Sequence, residues 1–105
     1  MKIKEYKVAD EIVQALFKSE FSSTDVEFGV VTIPPGERLP IEGTTAHEEH
    51  EYSFIIKGSL IGESGGEAYT ISAGEGTYIP AGEAHWCVNE SDSSCQLVFA
   101  LVKAR

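Results

Sequence analysis

Two short stretches bring all three histidines of this sequence beside carboxylates: Ala46-His47-Glu48-Glu49-His50-Glu51 and Gly82-Glu83-Ala84-His85. Imidazole nitrogen and carboxylate oxygen together suit a first-row divalent ion such as iron, zinc, manganese or nickel, with ligand atoms about 2.0 to 2.2 Å from the metal. Along an extended segment alternate residues share a face. His47, Glu49, Glu51, Ser53 and Ile55 then point one way, and Glu48, His50, Tyr52, Phe54 and Ile56 the other. On that pattern His47 and Glu51 can share an ion, with His85 as a third donor from the second stretch. Two imidazoles and one carboxylate on one side of a metal leave positions open for water, dioxygen or a chelating substrate, the condition that separates a catalytic site from a closed structural one. His50 falls on the other face; it is either a surface residue beside the site or, if a bulge turns the strand, a ligand. Cys87 shares the face of His85, as either a buried structural thiol or a soft wall group of the site. Ser53 and Ile55 would line the same pocket. No Ser-His-Asp or Cys-His nucleophilic set is visible, and Gly58 to Gly66 lacks the lysine and helix start of a phosphate loop.

The elements that must position these groups are mostly strands. Val26 to Ile33, Tyr52 to Lys57, Glu67 to Ile71, Thr77 to Ile79, His85 to Val88 and Gln96 to Val102 are β-branched or aromatic runs, separated by Pro34-Pro35-Gly36, Gly58, Gly65-Gly66, Gly74 and Pro80-Ala81-Gly82. Short strands with such punctuation predict an antiparallel sandwich or barrel, with no room for βαβ crossovers. Before them, Ala9, Ile12, Val13, Leu16 and Phe17 recur at helical spacing, which predicts a short amphipathic helix over Val8 to Glu20. Tyr78 and Trp86 are expected outside the barrel. Asn89 to Ser94 reads as a hairpin flanked by Cys87 and Cys95, and His85 as the start of the strand following a hairpin turn.

At 105 residues the chain is expected to form one domain, 1–105, with a single core and no need of disulfides. Its net charge of −9 argues against phosphate backbones and acidic leaflets as partners. No apolar run approaches membrane-span length, and Met1 to Lys7 lacks a signal-peptide core, so the expected location is cytoplasmic. Two cysteines are too few for a disulfide framework.

Residues 74–89 fit G-x5-P-x-G-x2-H-x3-N through Gly74, Pro80, Gly82, His85 and Asn89. Gly58, Glu51 and His47 fit the end of G-x5-H-x-H-x3-E-x6-G, whereas Thr45 stands at its first histidine and Leu39 at its opening glycine. In these motifs the sequence resembles the cupin superfamily over about residues 30–102. The resemblance implies an all-β, antiparallel jelly-roll barrel with its core at about 26–102, a homodimer, and one divalent transition metal held by His47, Glu51 and His85. Tyr52, Phe54 and Ile56 would supply the apolar face of the dimer. Most cupin sites have three histidines and one glutamate, so Thr45 implies either a weaker site or a water held by its hydroxyl. The expected function is metal-dependent chemistry on a small polar molecule, as an oxygenase, isomerase or lyase, with a slight lean to oxygen chemistry. The competing expectation is a non-enzymatic cupin that binds or senses a small ligand.

Overall fold

The computed structural model describes residues 1–7 and 11–105. Its elements are β1 (Val13–Glu20), β2 (Thr24–Ile33), β3 (Arg38–Leu39), β4 (His50–Lys57), β5 (Ser59–Ser64), β6 (Glu67–Ser72), β7 (Gly76–Ile79), β8 (His85–Val88) and β9 (Cys95–Ala104). All pairings are antiparallel. One sheet has the order β1-β2-β9-β4-β7 and the other β3-β8-β5-β6, so β9, last in sequence, lies at the centre of the larger sheet. The two sheets face each other as an all-β jelly-roll barrel. Ile33, Ile55, Leu60, Cys95, Leu97 and Phe99 are buried between them, with Ile55 and Cys95 fully excluded from solvent.

Local chemistry sets the turns. Gly65 and Gly66, at φ +59° and +81°, join β5 to β6, and a two-residue hairpin loop with φ > 0 at both positions is one that glycine adopts without steric cost. Asn89 is fully buried yet satisfied: its Nδ2 donates to the carbonyls of Ile33 (2.9 Å) and Ser93 (2.8 Å), and its Oδ1 accepts from Ser91 N (3.0 Å) and Ser91 Oγ (2.7 Å).

Three expectations need correction. The predicted N-terminal helix is absent from 13–20, which form the edge strand β1; residues 8–10 of that prediction lie outside the described residues. The reason is a bulge between Ala15 and Phe17. Val13 pairs with the buried Val31 and lines the cavity, but Phe17, also odd-numbered, pairs with the outward, 40% exposed Phe28. A strand that changes phase loses its two-residue alternation, and the remaining pattern imitates a helix. Second, Asn89 to Ser94 is no hairpin: β8 and β9 belong to different sheets, and the segment crosses between them. Third, β7 and β8 also belong to different sheets, so Pro80 to Gly82 turns the chain from one wall to the other. The connection from Glu37 to His50 contains β3, and Thr45 forms a β-bridge with His85.

Tyr52, Phe54 and Ile56 face outward from β4 and are about half exposed, together with Tyr78 on the neighbouring β7.

Candidate metal centre

His85 begins β8 on the smaller sheet, and Glu51 lies in β4 on the larger one. The Pro80–Gly82 turn brings them together. Gly82, at φ +81°, donates its N–H to the His47 carbonyl at 2.8 Å, while Thr45 and His85 exchange backbone hydrogen bonds of 3.0 and 2.9 Å. The polypeptide around His47 is thus pinned at both sides to the turn and strand that position His85. The two imidazole rings lie 5.1 Å apart, edge to face at 78°.

Among the described residues, one group of three possible donors stands within reach of a common ion: His47, Glu51 and His85, with ligand atoms all within 4.8 Å of one another. Cis ligands of one first-row ion stand about 3 Å apart, so side-chain rotations that draw the donors inward by up to about 2 Å close the set. Both rings are already oriented for metal. His47 Nδ1–H donates to the Glu49 carbonyl at 3.0 Å, and His85 Nδ1–H to the Glu83 carbonyl at 2.8 Å. A carbonyl only accepts, so the proton must be on Nδ1 in each ring, and Nε2 is left as the metal-binding atom. His47 Nε2 faces Glu51 Oε1 at 3.3 Å. A nitrogen lone pair and a carboxylate oxygen at that distance repel unless a cation, either a metal ion or a second proton on His47, lies between them. The donor set therefore fits a divalent metal.

The remaining predicted positions divide. Thr45 lies at the mouth, paired through its backbone with His85, on the wall of the same cavity. Ser53 and Cys87 line the cavity. Glu49 does not: the chain bends at Glu48 and Glu49, which ends the alternation, and the Glu49 side chain joins an outer cleft with Lys18 and Lys103 while only its carbonyl serves His47. His50 is on the outer face, where its Nδ1 accepts from Tyr78 Oη at 2.8 Å and its ring stacks on Tyr78. The His50 ring is thus turned away from the donor set. Trp86 is also outside, beneath the Arg38 guanidinium at 4.4 Å from the ring centre.

The cavity has two lobes that share Glu51, His85, Cys87 and Leu97, one of about 420 Å³ and one of about 360 Å³. Burial, with Glu51 adding a like-charge contribution, pushes the Cys87 thiol up to about 11. Burial likewise drives Tyr69 upward, so its hydroxyl stays protonated and donates to the Trp86 carbonyl at 3.1 Å. Tyr69, Ser64 and Glu83 of the larger lobe are cavity residues that sequence reasoning missed. Only Glu83 carried a signal, its place between Gly82 and His85.

An antiparallel jelly-roll barrel with two imidazoles and a carboxylate converging inside it defines a class of small β-barrel built around an interior metal-type site. A family model described as the cupin domain matches residues 29–101, and the chain belongs to the cupin superfamily. Comparison of the sequence with curated proteins gives no match. Among solved structures it is similar to the Schizosaccharomyces pombe Cnp3 cupin domain (16% identity, TM-score 0.72, covering 89% of this chain and 64% of that one). It is also similar to a cupin 2 conserved barrel domain protein from Salinispora arenicola (22% identity, TM-score 0.71, covering 95% and 89%). An oxalate oxidase, 25% identical with a TM-score of 0.62, matches over 72% of this chain, which spans only 41% of that enzyme.

Proposed function

We propose that this chain is a single cupin domain binding one divalent transition metal through His47 Nε2, Glu51 and His85 Nε2, and acting on a small polar molecule in the barrel. The observation that carries the reading is the pair of Nδ1–H bonds to the Glu49 and Glu83 carbonyls, which leave both Nε2 atoms to one cavity facing Glu51. When bound, the ion supplies Lewis acidity or a redox-active centre with open positions, which suits oxygenase, isomerase or lyase chemistry. The chain's own part is to orient the donors, to exclude water with Leu97 and its neighbours, and to keep the Cys87 and Tyr69 protons in place near the site. The presence of an oxalate oxidase among the similar structures supports the oxygen-chemistry end of that range without fixing the substrate.

A second reading, a cupin that binds or senses a small ligand without turning it over, is favoured by Thr45. Its position on the cavity wall opposite His85 carries a hydroxyl where the family pattern has an imidazole. A cytoplasmic homodimer joined through Tyr52, Phe54 and Ile56 belongs to either reading; half-exposed apolar side chains on one sheet face and two free cysteines support it. Metal analysis of protein purified without chelator tests the site. Wild type is expected to carry close to one equivalent, and His85→Ala and Glu51→Ala far less. Equal metal in all three would end the metal reading, whereas bound metal without turnover of any candidate would select the binding module.

A further inference from the structure

The two lobes on either side of the His47, Glu51 and His85 group differ in chemistry. The larger carries the hydroxyls of Ser53, Ser64, Tyr69 and Thr77 and the carboxylates of Glu67 and Glu83. The smaller is walled mostly by Val31, Ile33, Leu39, Phe99 and Leu101, with Glu27 and Thr45 also on its wall. No lysine or arginine is among the described residues that line either lobe. Arg38, whose charge reaches Cys87, is committed elsewhere: its guanidinium covers Trp86 on the outer face and donates to the Pro40 carbonyl at 2.9 Å. In the polar lobe Ser64 Oγ donates to Glu83 Oε2 at 2.6 Å, and the Ser53 and Thr77 hydroxyls are bonded to each other. Acceptors therefore outnumber free donors on that wall.

We infer that the ligand of this site is amphipathic and has no anionic group at its polar end: a vicinal diol or amino alcohol with an apolar substituent. The inference rests on the metal reading above for the chelating pair of heteroatoms, and on the lobes for the rest. The ligand's hydroxyl or amine hydrogens meet Glu83 and Glu67, the neutral amine nitrogen keeping its lone pair for the metal, and its substituent enters the lobe of Val31, Ile33 and Phe99. A carboxylate at the polar end would stand opposite carboxylates with no guanidinium or ammonium to pair with it, and desolvating an unpaired charge is unfavourable. The two charges on the metal set against the three of Glu51, Glu67 and Glu83 still leave one carboxylate uncompensated before any ligand charge is added. Each lobe is also large for a two-carbon diacid, since cavities of about 300 Å³ and above hold drug-sized molecules.

Calorimetric titration with phenylethanolamine, phenylglycol and mandelate isolates the charge, because these share one phenyl carbinol skeleton and end in an ammonium, a hydroxyl and a carboxylate. Zinc-loaded and metal-free protein are titrated alike, and zinc binding is measured separately. Phenylethanolamine and phenylglycol are expected to bind roughly fivefold or more tighter than mandelate, a modest factor because Glu67 is exposed and Glu83 only half-buried. Glu83→Gln is expected to narrow the gap between amine and carboxylate while zinc binding stays unchanged. Ethylene glycol, without the phenyl group, is expected to bind roughly tenfold or more weaker than phenylglycol. Mandelate binding as tightly as the amine, no loss on removing the phenyl group, or no binding of any probe at millimolar concentration would overturn the inference. If zinc fails to bind but the order holds in metal-free protein, the metal reading falls and this one stands; if zinc binds and mandelate wins, only this one falls.

Discussion

In metal-free protein, alkylation of Cys87 is expected to follow a pH profile displaced upward from that of a free thiol. Cys87 lies in the cavity wall beside Glu51, and burial first, then the Glu51 charge, push it from 9.0 to about 11. Only the thiolate is nucleophilic. At pH 8 a thiol titrating at 9.0 is about one-tenth thiolate and one titrating at about 11 roughly one-thousandth, so the native rate should be about 100-fold below that of the denatured chain. The folded protein favours the neutral thiol, so reactivity continues to climb about tenfold per pH unit beyond the point where a free thiol levels off. By the same sign, the stability associated with this group is present below 9.0 and is lost as pH rises through about 11. Iodoacetamide labelling between pH 7 and 10.5, resolved by peptide mass spectrometry, separates Cys87 from the fully buried Cys95. Glu51→Gln should move the profile downward by less than the full displacement, because burial is the larger cause. A Cys87 profile that levels off near 9, or one that Glu51→Gln leaves in place, would refute the electrostatic picture of the cavity.

Three other outcomes follow from packing. Asn89→Ala strips four hydrogen bonds from a fully buried side chain and should cost about 3 kcal/mol in urea denaturation, since orphaned buried groups carry most of their desolvation penalty. Gly62→Ala would place a Cβ 2.1 Å from the Trp86 carbonyl oxygen and 2.7 Å from Tyr69 Oη, so β5 and β8 must separate; a loss of about 2 kcal/mol or more and a lower melting temperature are expected. Sedimentation at micromolar concentration should find a dimer that Phe54→Lys converts to monomer, because a charge replaces an apolar group on the face proposed to join the subunits; a wild-type monomer would remove that proposal.

Strands β2, β4, β6, β7, β8 and β9 could be read in the sequence because each is a β-branched or aromatic run, the first four closed by glycine or proline within two residues and β8 opened after the Pro80–Gly82 turn. Strand β1 could not, since its bulge breaks the alternation that identifies a strand. β5 was missed because Gly62 divides a run with only Leu60 and Ile61 as apolar members, and β3 is two residues long. For the site, His47, Glu51 and His85 were visible through their spacing, which encodes turn geometry as well as chemistry. Strict alternation puts Glu49 on the face of His47 and Glu51, but alternation holds only while the chain stays extended, and it bends there. Ser64, Tyr69 and Glu83 were invisible as cavity residues because their meeting depends on the distance between two sheets, which no local pattern records.

X-ray absorption at the metal edge of zinc-loaded protein tests the central claim most directly. The account predicts a shell of nitrogen and oxygen scatterers containing the multiple-scattering signature of two imidazoles, reduced to one in His85→Ala. A wild-type spectrum with one imidazole or none, or with a sulfur scatterer from Cys87, would contradict it.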